Sequence, residues 1–283
     1  MAGDKERDKR NLAVVRRKWH SLKDRVHHSI VTIPSKKQLK ITMGSHYIPR
    51  GKKLGDDAHF LCTKEQVIGI ADGVGDWVKH GVDAGQYARE LMDHSETVVQ
   101  EKKRTFFNPA TIIKKAYART SAMGSSTACI IALNGQFIHA AIVGDSGFLV
   151  VREGSVVFRS PVQLHDTDHP YQLGAHTKLD DPNCAEVMKV AVKAGDVIVA
   201  GTDGLFDNVF EDEVSRIVQS AVASHSGPHE LAAVLANVAL DYSNSTTGET
   251  PYSIASQEAG RDHIGGKPDD ITVVIMYICS SDA

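Results

Sequence analysis

Aromatic side chains make up only 6% of this 283-residue chain. A core of the size that such a length can bury has to be assembled from Val, Ile, Leu and Ala. Only four cysteines are present, Cys62, Cys129, Cys184 and Cys279, and they form neither a Cys-x-x-Cys pair nor a zinc spacing. That scarcity excludes a disulfide-stapled scaffold, and with no secretory signal a reducing, intracellular compartment is expected. None of the four is followed by Arg six residues later, so a cysteine nucleophile paired with a phosphate-gripping Arg loop drops out. Also missing are the glycine fingerprint of dinucleotide sites, the P-loop lysine and the His-Glu-x-x-His zinc motif. No uncharged run reaches the length of a membrane span. Internal repeats are absent.

Charge of one sign is missing where it would balance the other. Residues 1–40 carry 12 Lys/Arg against 4 Asp/Glu, and the rest of the chain is acidic enough to bring the total to −3. The segment 1–37 therefore reads as a basic, partly disordered leader ahead of a folded domain over 38–283. A targeting or membrane-surface segment, or a nucleic-acid arm, are the other readings of such a stretch. Asp4, Glu6 and Asp8 run against a mitochondrial leader, whereas Arg16-Arg17-Lys18-Trp19 suits one.

Periodicity organises the rest of the chain. Leu39, Ile41 and Met43 alternate with polar residues as a strand does, and Ala58–Cys62 with Gln66–Ala71 predicts a hairpin turning near Glu65. Two helices are predicted next, Asp83–Val99 capped by Asp83 and Asn108–Ser121 capped by Asn108 with Pro109 at its first position. Asn134-Gly135 predicts a tight hairpin between 126–133 and 136–143, and Glu153-Gly154 a second between 147–152 and 155–158. A third hairpin is expected around Ala194-Gly195, joining 187–192 to 196–200. Residues 160–185 read as a long surface loop, the kind that is often functional. Helices over 211–224 and 228–242, a polar loop over 244–266 and a strand over 271–278 complete the chain. Blocks of strands and blocks of helices, not βαβ alternation, predict an α+β fold with antiparallel sheets and outer helices.

Four short acidic stretches carry the chemistry: Gly55-Asp56-Asp57-Ala58, Ala71-Asp72-Gly73-Val74-Gly75, Gly201-Thr202-Asp203-Gly204 and Lys267-Pro268-Asp269-Asp270-Ile271-Thr272. Asp72, Asp203 and Asp269 each fall where a strand meets a loop, and Asp57 precedes a strand. An Asp-Gly pair alone is usually a turn. Four carboxylates at strand ends, brought together by folding, would repel one another without a cation. Oxygen ligands of this hardness suit Mg²⁺ or Mn²⁺.

Taken with Gly144-Asp145-Ser146, these stretches stand in the order seen in the metal-dependent type 2C serine/threonine protein phosphatases, which the chain resembles from about Ile41 to Ile278. Ser160-Pro161-Val162-Gln163 and Pro170-Tyr171-Gln172-Leu173 resemble the short branch of that family that includes a mitochondrial phosphatase. The resemblance implies a four-layer α-β-β-α sandwich of two antiparallel sheets flanked by helix pairs. It implies a hydrolase acting on phosphoserine and phosphothreonine in proteins, with Mn²⁺ or Mg²⁺, two ions and a weaker third, as cofactors. Asp72, Asp203 and Asp269 take the catalytic positions. Asp72 resembles the carboxylate bridging both metals, Gly73 the backbone carbonyl ligand of the first, and Asp203 and Asp269 ligands of the second. Asp57 resembles an acid that supports the ligands from behind or reaches a metal through water, and Asp145 an acid that holds the third ion with Asp203. Arg50 and Lys52 stand where substrate phosphate is gripped.

Departures from the family pattern are specific. Val74 stands where a His is frequent, Lys52 where an Arg is usual, Gly147 replaces an Arg, and Asp76 replaces a Gly. Lys neutralises phosphate but makes no bidentate fork. These changes leave one alternative, a catalytically weak pseudophosphatase that binds phosphoproteins as a scaffold. Gly144-Asp145-Ser146-Gly147 superficially matches a serine-hydrolase motif, but Phe148 follows it and no partner His lies in the needed setting. None of the 14 histidines shows ligand spacing, although His165 and His169 lie in the long loop where substrate contact is open. A phosphoprotein substrate is the expected partner, with no nucleic acid and no integral membrane segment. The expected state is a monomer, and the location is intracellular, mitochondrial or cytoplasmic.

Overall fold

Why the apolar runs of this chain are so continuous becomes clear from their placement. In a computed structural model of the protein, residues 38–51, 54–101, 106–166, 169–174 and 179–281 are described. The basic segment 1–37 and Lys52 lie outside them. Among the described residues ten strands form two five-stranded antiparallel sheets. In chain order they are β1 (Leu39–Ile48), β2 (Ala58–Cys62), β3 (Val67–Ala71), β4 (Ala128–Asn134), β5 (Phe137–Val143), β6 (Gly147–Arg152), β7 (Ser155–Arg159), β8 (Glu186–Ala191), β9 (Val197–Gly201) and β10 (Ile271–Ser280). One sheet runs β1-β10-β9-β6-β7 and the other β8-β5-β4-β3-β2. The helices are α1 (Ala84–Gln100), α2 (Pro109–Tyr117), α3 (Asp203–Phe206), α4 (Glu211–Ala223), α5 (Pro228–Ser243) and α6 (Pro251–Glu258).

Three apolar layers hold these elements together. On β4, Cys129, Ile131 and Leu133 face the other sheet, where they meet Phe148, Ile198 and Met276. The intervening Ala128, Ile130 and Ala132 face α1 and α2 through Tyr87, Leu91 and Ile113. On the far side, Val273 and Ile275 of β10 pack with Val214 of α4 and Leu231 and Leu235 of α5. Side chains alternate across a strand, so a strand buried on both faces has no polar positions to spare. Each fully buried Ile or Leu contributes roughly 1.5–3 kcal/mol. The result is the four-layer α-β-β-α sandwich that the resemblance implies.

Local signals decide many of the boundaries. The Asp83 side chain accepts a hydrogen bond from the Gly85 N–H at the start of α1, and Asn108 accepts from Thr111 N–H at the start of α2. Glu153 and Gly154 both take positive φ, 51° and 78°, as a tight primed turn requires. Gln66, at φ 59°, closes the β2–β3 turn, and its amide bonds the backbone of Ile41 in the other sheet at 2.5 and 3.3 Å.

Four expectations need correction. Asn134 pairs with Phe137 across the β4–β5 hairpin, so the turn is Gly135-Gln136, one residue later than predicted. The Asn134 amide is committed elsewhere, bonding the Phe107 backbone N–H and C=O at 3.0 and 2.9 Å. Helix α2 ends at Tyr117 and not at Ser121, because the Ser121 N–H turns to the Glu90 carboxylate. β8 and β9 form no hairpin. They belong to different sheets, and residues 193–196 carry the chain from one to the other. Asp196 makes that crossover, fully buried and bonded to Arg152 at 2.8 and 2.7 Å and to the Lys193 N–H at 2.8 Å. Finally, the polar stretch 244–266 contains α6, started by Thr250 and Ser253 capping each other's backbone, with Pro251 at the first position.

Among the described residues no helix is long and apolar enough to cross a membrane. The Asp196 carboxylate is fully buried, whereas the Arg152 side chain keeps 30% of its surface in solvent. Arg152→Ala should therefore cost about 3 kcal/mol or more in urea denaturation, since it strands a buried charge. Asp196→Ala should cost less, because the arginine can rehydrate. The reverse order would show that the crossover is held by something other than this pair.

Candidate active site

The acidic stretches converge at one edge of the sandwich. A cavity of about 670 Å³ is lined there by Arg50, Asp56, Asp72, Asp145, Asp203 and Asp269, among others. Each residue arrives on a strand end. Asp72 follows β3, and its N–H bonds Thr127 Oγ1 at 3.0 Å. Asp145 sits in the turn between β5 and β6, after Gly144 at φ +99°. Asp203 opens α3 just after β9, and Asp269 precedes β10. Gly73 approaches two backbones so closely that a Cβ would lie 2.4 Å from Ala84 O and 2.6 Å from Asp56 O, which no side chain tolerates.

Asp57 does not reach the cavity. It is 4% exposed, and its Oδ2 accepts from Thr202 Oγ1 at 2.9 Å and Thr272 Oγ1 at 2.7 Å. It stands behind the site, between the two sheets. Asp270 takes a comparable role in front. Its carboxylate accepts from Arg50 N–H at 2.7 Å, Tyr47 Oη at 3.1 Å and Asp56 N–H at 3.0 Å, which fastens the loop carrying Arg50 and Asp56 to the start of β10.

Burial and mutual repulsion set the protonation of these acids. Asp72 is held well above the usual carboxylate range by burial first and then by the charges of Asp203, Asp57 and Asp269. Burial and Asp203 push Asp145 up to about 7 and Asp269 up to about 6. Asp207 reaches about 6 for the same reasons. Burial also works to raise Asp203, but the Lys267 ammonium and a hydrogen bond shared with Asp72 outweigh it and hold Asp203 low. Asp57 is raised by burial despite its two threonine partners.

Lys267 is the cation of this cluster. Its Nζ donates to Asp203 Oδ2 and, at 2.8 Å, to Asp207 Oδ2, and lies 3.4 Å from Asp269 Oδ2. Among the described residues no three His, Cys, Asp or Glu side chains stand as a ready-made metal cage. Three buried carboxylate oxygens, Asp57 Oδ1, Asp145 Oδ1 and Asp203 Oδ1, nevertheless have no hydrogen-bond partner. Buried polar oxygens left unsatisfied are costly. Two of them belong to residues on the cavity wall, so the donor set there fits a hard divalent cation.

The structure thus brings Asp72, Gly73, Asp145, Asp203 and Asp269 to one wall, sets Asp57 behind it and Arg50 at its side. Lys52 lies outside the described residues. Asp76 is at the rim, highly exposed and paired with Lys79 at 2.7 Å. His169 lines the cavity, whereas His165 is stacked on Tyr171 and bonded to Asp180 at 2.9 Å. The 160–185 segment is less of a surface loop than predicted. Leu173–Gly174 pairs with Ser125–Ser126, and Ser125 Oγ bonds both Gln172 and Trp77 Nε1, at 2.5 and 2.7 Å. Sequence reading missed Asp56, Asp207 and Lys267. Asp207 had a signal, since it follows Asp203 by one helical turn.

Comparisons with known proteins agree on one family. The chain is 48% identical over 248 residues to "Probable protein phosphatase 2C 55" of Arabidopsis thaliana, spanning 87% of this chain and 53% of that relative. It is 34% identical over 264 residues to "Probable protein phosphatase 2C 26" of the same plant, spanning 88% of this chain and 87% of the relative. The chain thus spans about half the length of the first of these relatives. Among solved structures, the photosystem II phosphatase PBCP superposes with a TM-score of 0.78 at 34% identity, covering 84% of this chain and 98% of that one. The catalytic domain of the serine threonine protein phosphatase PstP, in complex with two manganese ions, shares the fold at a TM-score of 0.62 and 17% identity, over 86% of this chain and 100% of that one. No family model matches the chain.

The raised carboxyls fix a pH dependence. In metal-free buffer the native state keeps protons that the unfolded chain has released, so rising pH favours unfolding. Melting temperature in EDTA should fall from about pH 4, where unfolded carboxyls ionise, to about 7, the value for Asp145. Saturating Mn²⁺ should flatten that slope. A metal-free melting temperature that climbs across this window would contradict the arrangement described.

Proposed function

The chain belongs to the protein phosphatase 2C family, and from that premise we propose that its acidic cavity hydrolyses phosphoserine and phosphothreonine in proteins with the help of two divalent ions, Mn²⁺ or Mg²⁺. The observation that carries this reading is the presence of unsatisfied carboxylate oxygens on Asp145 and Asp203 in the wall that Asp72 and Asp269 share. Asp72, Asp203, Asp269 and the Gly73 carbonyl would hold the ions, with Asp57 supporting from behind. When bound, such ions acidify water to a nucleophile at neutral pH and offset the charge of the phosphoryl oxygens. Phosphate monoesters are among the slowest substrates to hydrolyse unaided, so chemistry of this strength is warranted.

The chain's own residues supply position and charge. Arg50 lines the cavity with its backbone fastened to Asp270, which keeps its guanidinium within reach of a phosphoryl group bound there. Thr127 takes the Asp72 N–H on its Oγ1, and returns its own N–H to the Asp72 C=O at 2.9 Å, which holds that carboxylate at the strand end. Thr202 and Thr272, both bonded to Asp57, set the approach of β9 and β10 beneath the site. The cavity mouth is bounded by Asp76, Val78, His169 and Pro170, and substrate residues beside the phosphate would lie against them. Lys79 neutralises Asp76, so the acid that departs from the family pattern does not leave an uncompensated charge in the path of phosphate. This weighs against the scaffold alternative.

Purified protein should hydrolyse p-nitrophenyl phosphate and a phosphothreonine peptide in Mn²⁺ and stop in EDTA. No Mn²⁺-dependent turnover would refute the reading. Asp72→Asn should lower kcat by about a hundredfold or more while the protein still melts cooperatively. Joint replacement of Arg50 and Lys52 by Ala should raise KM for the peptide by about tenfold, the loss of one charge-assisted contact. Unchanged kcat and KM would remove these two from the substrate site.

A further inference from the structure

Lys267 stands in the acidic cluster in a way that the proposed hydrolysis does not use. Its ammonium engages one oxygen of Asp203 and one of Asp207, with Asp269 Oδ2 3.4 Å away. The stalk is held as firmly as the head. Lys267 N–H donates to Asn208 Oδ1 at 2.9 Å, and Asn208 Nδ2 donates back to Lys267 C=O at 3.0 Å and to Gly204 C=O at 2.9 Å. Asn208 is 1% exposed. It comes directly after Asp207, so the turn that presents Asp203 and Asp207 also anchors the lysine that neutralises them. Pro268 comes next and fixes the backbone beyond. The Tyr252 ring closes the outer side, 5.5 Å from Nζ.

The two oxygens of Asp203 are thereby divided. Oδ2 belongs to Lys267, while Oδ1 is buried without a partner. Asp145, Asp203 and Lys267 line both the main cavity and a second one of about 360 Å³, which Asp207, Arg159 and Tyr252 also line.

We infer that the Lys267 ammonium is a tethered cation that stands in for a divalent ion on the Asp203–Asp207 side, so that this chain takes up no ion there. The inference rests on the proposed divalent-ion site and sets its limit: the ions held there reach Asp203 through Oδ1 from the Asp72 side, and none is bound between Asp203 and Asp207. A covalently attached cation needs no recruitment from solution, and a divalent ion approaching the same oxygens meets both a satisfied carboxylate and a like charge.

Counting bound Mn²⁺ by isothermal titration calorimetry on the full chain tests this. Lys267→Met should take up about one Mn²⁺ per chain more than wild type, because it frees an additional set of anionic oxygens. Lys267→Arg, which keeps the charge, should match wild type. Equal, non-zero counts in wild type and a folded Lys267→Met overturn the inference and leave the proposed function standing. No Mn²⁺ uptake by wild type overturns both. Wild type alone gives a second readout should Lys267→Met fail to fold. With Mn²⁺ added to saturation of the melting shift, Lys267 should stay protected from amine acylation, followed by peptide mass spectrometry. Acylation that rises on adding Mn²⁺ means that the ion displaces the lysine, and the inference falls.

Discussion

Everything at the active edge depends on one buried carboxylate, that of Asp57. It stands just ahead of β2 in one sheet and binds the hydroxyls of Thr202 and Thr272, which sit at the end of β9 and in β10 of the other. An apolar interface between sheets is non-directional and permits sliding. Two hydrogen bonds to one buried carboxyl do not. They are directional, and they lie in dry surroundings where a hydrogen bond is stronger than in water. Gln66 makes the matching clasp at the opposite end of β3, through the Ile41 backbone. With both ends tied, the strands beside them can bring Asp72 and Asp203 to one cavity wall.

That closeness carries an electrostatic cost, and the fold meets it in several ways. Lys267 neutralises the Asp203–Asp207 pair. Backbone N–H groups and Tyr47 satisfy Asp270. The remaining acids rise toward neutrality by holding protons. A surface site would not need such arrangements, because water would screen it. The burial that makes the cluster expensive is also what makes it useful, since charge is worth more in a dry cavity.

How far the chain announced this varies with the kind of signal. Caps at Asp83 and Asn108, the Glu153-Gly154 turn and the periodic strands were readable because each is decided within a few residues. The Asn134-Gly135 turn was displaced by one residue because Asn134 is held by Phe107, far away in sequence. The pairing of β8 with β9 failed for a related reason. Two strands joined by a short turn look alike in sequence whether they pair or part, and a buried Arg152–Asp196 contact across 44 residues decides which. The α6 helix was hidden in a polar stretch because much of its surface faces solvent, although its Thr250-Pro251 start was a local clue.

For the site, sequence alone placed Asp72, Asp203 and Asp269 where strands meet loops, the first two beside glycines, and the structure brings all three to one cavity wall. Sequence also determined the block order of strands and helices, because periodicity follows from burial on one face or two. Only the tertiary structure decided that Asp57 ties the sheets without reaching the cavity, that Asp270 fastens the Arg50 loop, and that Lys267 enters among the acids. Those roles depend on distances between residues tens to hundreds of positions apart. A local pattern carries no information about such distances until the sandwich closes and turns scattered like charges into one buried cluster.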